Sequence, residues 1–210
     1  MVLGAVIDTG AAIERARILA SRPGRSILGV TGVPGSGKST LAASVCAELG
    51  SDAALVPMDG FHLADTVLRT LGLRNRKGAP ETFDSWGYAA LIGRLRGNSD
   101  PVVYAPSFER GLEQPIAGAI AVPAGVPLVV TEGNYLLLDA AGWPAARALL
   151  DEVWYCECDT AVRLDRLTQR HIRFGKSPTK AADWVRAVDE PNAALICATR
   201  GYADHIVRIG

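Results

Sequence analysis

The sequence predicts an α/β fold, with a mainly parallel sheet covered by helices on both faces. Three observations carry this expectation. Short apolar, β-branched runs alternate with stretches of helical spacing along the 210-residue chain. A strand, a glycine-rich turn and a helix follow one another without interruption at 26–49. Two further apolar runs end in an acid followed by glycine, Asp59-Gly60 and Glu132-Gly133. Open α/β sheets build their sites at such strand ends.

The elements read in order as follows. Residues 9–21 form a helix with Asp8 or Thr9 as its N-cap. SRPGR at 21–25 is a turn, 27–31 a buried strand and 40–49 a helix. A second strand at 53–58 runs into Asp59, and 63–71 is a short helix. Residues 72–84 hold turn formers and three cations without a clear period, which suits a substrate flap. Helix 85–96 follows, capped by Ser85 or Asp84. Weaker strands at 100–104 and 116–122 flank a loop at 105–110. Strand 126–131 ends in Glu132, and 143–150 is helical. Strand 152–158 leads to a helix capped by Asp159 or Thr160 and running to about 174, broken by 175–178. Helices at 179–188 and 191–200 and a strand at 205–209 complete the chain. Trp86, Trp143, Trp154 and Trp184 read as packing residues.

Lys plus Arg and Asp plus Glu both number 22, a formal net charge of zero. A nucleic-acid-coating chain would normally be basic, and neutrality gives no reason for an anionic membrane surface. Neither partner is expected. No stretch is long enough to cross a bilayer. The apolar run at 2–7 is short, lacks a basic flank and ends at Asp8, unlike a signal peptide. Cys46, Cys156, Cys158 and Cys197 contain no C-x-x-C pair and read as buried, reduced thiols of a cytoplasmic protein. No repeat, linker or composition shift divides 1–210, so one domain is expected. A homodimer is left open.

Gly32, Gly37, Lys38 and Ser39 fit G-x-x-x-x-G-K-[ST] between a strand and a helix, the context a P-loop requires. Glycines let successive amides turn toward a polyphosphate without Cβ clashes. The helix N-terminus aims its positive end at the same anion. Gly35, Ser36, Gly37, Lys38, Ser39 and Thr40 are therefore candidate nucleotide ligands, with Lys38 on the β/γ-phosphates and Ser39 on Mg²⁺. The expected fold sharpens to a P-loop NTPase three-layer sandwich.

Asp59 and Glu132 are the candidate acids. One carboxylate can take the proton of an attacking hydroxyl, and the other can hold Mg²⁺ directly or through water. Arg163, Arg166, Arg170 and Arg173 fall within roughly 80° of one another at 100° per residue. Such a row suits a helical lid at 163–178 that clamps phosphates. His62, three residues after Asp59, joins the flap as a candidate. Glu81 and Asp84 could bond a polyol or ribose, while Arg74, Arg76 and Lys77 could steer an anion. Tyr104 and Arg110 are further substrate candidates, as is Glu132.

These segments together resemble the uridine kinase, phosphoribulokinase and bacterial pantothenate kinase superfamily of P-loop kinases. The likeness rests on GVPGSGKST at 32–40, MDGFH at 58–62, RKGAPETFD at 76–84 and EGNYLLLD at 132–139, with RLDRLTQRHIRFGKSP at 163–178 and DEPNA at 189–193. The set is most similar to the nucleoside/nucleotide kinase group often labelled fructose transport system kinases. The resemblance implies that Asp59 is the catalytic base and that Lys38 and Ser39 meet triphosphate and Mg²⁺. It also implies Glu132 near the metal, and Arg166, Arg170 and Arg173 in the lid.

The combined expectation is an ATP-dependent phosphotransferase acting on a small-molecule alcohol, with sugars and sugar-like alcohols ahead of nucleosides and pantothenate-like alcohols. ATP and Mg²⁺ are the expected cofactors. A nucleotide-gated regulatory ATPase is the alternative from another class. A GTPase is not expected, because no N-K-x-D signature is present.

Overall fold

The structure is a computed structural model and describes residues 4–209. Its centre is a six-stranded parallel sheet. The spatial order is β1 (Ala5–Ile7), β8 (His205–Arg208), β7 (Glu152–Glu157), β2 (Ser26–Thr31), β6 (Leu128–Glu132) and β3 (Ala53–Pro57). Side chains alternate across it, as the pleat demands. Leu28, Val30 and Val130 pack under α1 (Thr9–Ala20) and α2 (Lys38–Leu49). Ile27 and Val129 belong to the opposite core, which is shared with α4 (Ser85–Gly97), α5 (Trp143–Arg147) and α8 (Glu190–Ala198). The three-layer parallel architecture is the one the sequence predicts. No helix among the described residues is long and apolar enough to cross a membrane.

Carboxylates and hydroxyls start the helices by accepting their first free amides. Asp8 accepts from Ala11 N at 2.8 Å. Asp159 accepts from Ala161 N and Val162 N at the head of α6 (Thr160–Arg173). Ser177 caps α7 (Pro178–Trp184). The chain then passes through a π-helical turn, Val185–Asp189, into α8.

Several expectations are corrected. The supposed loop at 105–110 belongs largely to β4 (Val102–Glu109), which pairs antiparallel with β5 (Gln114–Pro123) in a hairpin outside the main sheet. Pro106 hides the strand in the sequence. It has no N–H to give the ladder, and the register shifts between Ala105 and Ser107. β1 was missing from the reading; it is a three-residue edge strand, and residues 2 and 3 of the apolar run lie outside the described residues. Cys156 is buried, Cys46 and Cys158 are partly so, but Cys197 is exposed. Trp143 and Trp154 pack in the core, whereas Trp86 is on the surface.

The 72–84 segment, expected as a substrate flap, is tied to its neighbours and contributes Arg74, Lys77, Gly78 and Phe83 to a cavity wall. Leu63 N donates to the Thr82 carbonyl and Asp84 N to the Phe61 carbonyl, both at 2.9 Å. Lys77, Ala79, Thr82 and Phe83 are buried. α3 (Asp65–Thr70) precedes this segment, and Asp65 ties Arg74 and Lys77 to it at 2.7 and 2.6 Å.

Gly60 lets the hairpin close on the turn that carries Asp59. A Cβ there would stand 2.3 Å from the Pro106 carbonyl oxygen, a backbone atom that cannot rotate away. Gly60→Ala is therefore expected to destabilise the fold by about 1–3 kcal/mol through overpacking. An unchanged urea midpoint would contradict this close approach.

Candidate active site

Three strands deliver the site to one edge of the sheet. β2 runs into the glycine turn, β3 into a 3₁₀ turn, Met58–Phe61, that holds Asp59, and β6 ends at Glu132. Glu132 pairs in register with both Val30 and Pro57, so the three strand ends are level.

Gly35 and Gly37 have φ of 81° and 91°, values that glycine adopts without strain. Gly37 caps α2 with no side-chain bond, and the first-turn amides that follow have no intrahelical acceptor. These amides border an open groove of about 500 Å³ lined by Gly35, Gly37, Lys38, Ser39, Thr40 and Ile209, with Arg110, Arg166 and Arg170 across it. Ser36 Oγ is buried beside the turn without a hydrogen-bond partner. An orphaned hydroxyl, free amides and converging cations fit a polyphosphate.

A second cavity of about 290 Å³ adjoins the groove and shares Lys38, Ser39, Arg110 and Arg170 with it. Asp59, His62 and Glu132 face this second cavity. Lys38 and Glu132 are both buried. Burial raises the Glu132 carboxyl above its ordinary range, opposed by Lys38 and by a hydrogen bond from Ser39. Burial likewise lowers the Lys38 ammonium, opposed chiefly by Glu132 and then by Asp59. Both shifts arise from dehydration, and each group restrains the other's.

Asp59 is half-buried, and its Oδ2 lies 3.3 Å from Arg110. Its carbonyl accepts from His62 Nδ1 at 2.8 Å. The His62 ring sits between Phe83 and Phe108, with centroids at 4.0 and 4.7 Å. Burial pulls its pKa down, against the pull of Asp59, and so favours the neutral imidazole. Arg170 is shifted down by burial, opposed first by Asp189.

The sequence candidates therefore separate. Gly35, Gly37, Lys38, Ser39, Thr40, Arg166 and Arg170 gather in the groove; Asp59, His62, Arg74, Lys77, Arg110 and Glu132 gather in the cavity. Others are placed elsewhere. Asp84 is the N-cap of α4, accepting from Gly87 N at 2.8 Å, and not a cavity residue. Glu81 pairs with Arg76 at 2.8 Å away from the cavity lining. Tyr104 is 60% exposed on β4. Arg163 is buried and paired with Glu190 at 2.6 Å, and Arg173 faces solvent.

Several cavity residues escaped the sequence reading. His171 Nε2 bonds Asp189 Oδ2 at 2.7 Å, and Lys176 Nζ lies 4.7 Å from the centroid of Trp184. All four line the cavity with Asn134 and Asn192, so Trp184 is not a plain packing residue. The available signal was weak. Asp189 and Asn192 stood in a short DEPNA segment, and Asn134 in EGNYLLLD, with no chemistry legible in either. Among the described residues, no three His, Cys, Asp or Glu are grouped to hold a metal unaided. One or two carboxylates plus phosphate oxygens and water are what Mg²⁺ ordinarily uses.

No family model matches the chain. A solved structure from Silicibacter sp. TM1040, called a "putative fructose transport system kinase", is 37% identical, with a TM-score of 0.85 over 95% of this chain and 98% of that one. The "putative uridine kinase C227.14" of Schizosaccharomyces pombe is 33% identical over 176 residues, 80% of this chain and 75% of its own length. YggC of Escherichia coli K12 is 33% identical over 191 residues, 88% of this chain and 78% of its own. YFH7 from Saccharomyces cerevisiae shares the fold, at a TM-score of 0.81 and 20% identity. With a glycine turn, an ammonium and a strand-end acid set level at one sheet edge, the chain belongs to the uridine kinase-like superfamily of P-loop kinases and is a small-molecule kinase.

Proposed function

We propose that the chain moves the γ-phosphoryl group of ATP to a hydroxyl of a sugar or sugar-like alcohol. The observation that carries this is the pair of adjoining cavities. The glycine-turn groove suits a nucleotide tail, and the 290 Å³ cavity, with Asp59 on its wall, has the size and position of an acceptor site. A nucleotide-gated switch has no use for such a cavity.

In this reading the acceptor hydroxyl lies against Asp59. Its oxygen attacks the γ-phosphorus as the bond to the β–γ bridging oxygen breaks. The hydroxyl proton passes to the Asp59 carboxylate, and the bond's electron pair leaves with ADP. Lys38 and Arg170 offset charge on the transferring group, and Arg166 grips the tail from α6, the proposed lid. Ser39 Oγ and Glu132 are the residues that would hold Mg²⁺, which neutralises charge between the β- and γ-phosphates when bound. Burial disfavours the charge on Glu132, so a cation beside it is favourable.

The acceptor class is read from the walls. Asp189, Asn134, Asn192 and His171 can exchange hydrogen bonds with several hydroxyls, and Trp184 adds apolar surface to the lining. Of the substrate candidates, His62 and Arg110 remain in this reading; Glu81, Asp84 and Tyr104 do not. The name of the Silicibacter relative points to a sugar, and that of the fission-yeast relative to a nucleoside. A reducing cytoplasm suits four cysteines that are all free.

An ADP-release assay across sugars, polyols, nucleosides and pantothenate should give turnover with a sugar or polyol. Turnover confined to nucleosides or pantothenate would overturn the acceptor assignment. Asp59→Asn should lower kcat by about 10²-fold or more while nucleotide still binds; an unchanged kcat would remove Asp59 as base. Lys38→Ala should weaken ATP binding at least about tenfold, the scale of one charge-assisted contact. Calorimetry showing equal affinity would contradict the phosphate assignment.

A further inference from the structure

Arg110 belongs to neither the glycine turn nor the arginine row of α6. It follows β4 at the tip of the hairpin, yet its guanidinium reaches the junction of the two cavities and borders both. There it touches two elements. It pairs with Asp59 Oδ2 at 3.3 Å, and it lies 5.9 Å from the ring centroid of Phe174, the residue that ends α6. A guanidinium stays charged throughout any physiological range.

The local charges do not balance. Lys38, Arg110 and Arg170 line the groove, where no carboxylate stands among the described lining residues, while Asp59 and Glu132 face the cavity and Asp189 opposes Arg170 from there. Arg110 is near enough to Arg170 to disfavour its charge. The groove side of the junction therefore has room for a further anion. The Arg110–Asp59 pair is also weakly held, because both side chains are partly in water, 49% and 30% exposed. A terminal phosphate, with more charge and three acceptor oxygens, competes well against one carboxylate.

We propose that Arg110 is a γ-phosphate ligand that Asp59 holds in the nucleotide-free chain and that an arriving triphosphate takes over. This rests on the proposed kinase reading. The exchange has a chemical use. While paired, the Asp59 oxygen that should accept the acceptor's proton is occupied by a cation. Once Arg110 turns to the phosphate, that oxygen is free, and the cation lies beside the group whose charge it offsets. A diphosphate ends one phosphate short, so Arg110 returns to Asp59 after transfer.

The test is a double-mutant cycle read by calorimetry, which needs no acceptor. Binding of AMP-PNP and of ADP, each with Mg²⁺, is measured for the unsubstituted protein, Arg110→Ala, Arg110→Gln, Asp59→Asn and the Asp59→Asn/Arg110→Ala pair. Both Arg110 variants should weaken AMP-PNP at least about tenfold and ADP less than about threefold. Asp59→Asn should tighten AMP-PNP, and that gain should vanish in the paired variant. Equal losses for the two nucleotides would overturn the proposal. So would a gain from Asp59→Asn that persists without Arg110, since plain repulsion between Asp59 and phosphate would then explain it. An unsubstituted protein that binds neither nucleotide would overturn the triphosphate reading itself, and this proposal with it.

Discussion

A buried ammonium and a buried carboxylate on the wall of one cavity, Lys38 and Glu132, are the constraint on which the site depends. Either charge alone at that depth would be costly, and the pair is tolerated because each answers the other. Their meeting needs the parallel sheet. Lys38 begins α2 immediately beyond β2, and Glu132 ends β6, the hydrogen-bonded neighbour of β2. The register that levels Glu132 with Val30 and Pro57 also fixes where Asp59 emerges. Such a pair is a poor source of stability. Its value is a charge kept dry and in place beside the glycine turn.

The arginines of α6 show how one helix face divides its labour. Arg163, in the first turn, is buried against Glu190 and roots the helix beside α8. Arg166 and Arg170, further along, border the groove. Arg173, in the last turn, faces water. Periodicity places all four on one side, but that side passes from interior to groove to solvent as the helix leaves the sheet. Leu167 and the Arg163 carbonyl rest against Gly35, where a Cβ would come within 2.9 Å, so this helix and the glycine turn are packed as one.

What was legible in the sequence is what is decided locally. The glycine turn, its flanking strand and helix, and the acids at 59 and 132 follow from spacing along the chain. Helix caps were legible only as pairs of options; geometry chose Asp8, Asp84 and Asp159. As the cap of α4, Asp84 is exposed and stands off the cavity lining. Features made by distant partners were not legible. The hairpin needs β5 to give β4 a ladder, and Pro106 masks it. The His171–Asp189 bond joins residues 18 positions apart across a π-helical turn. Trp184 looks like core until α6 and α7 fold together and turn its ring to the cavity. Glu81 looked free because its partner Arg76 sits in a segment with no period.

The ring of His62, clasped between Phe83 and Phe108, joins three stretches of chain in a single stack. None of the three can swing aside without separating the others, so that wall of the cavity is held as one unit. The same hairpin tip reaches the end of α6, where the Arg110 guanidinium lies 5.9 Å from the centroid of the Phe174 ring. One hairpin thereby takes part in both contacts, with Phe108 against His62 and Arg110, two residues on, against the end of α6.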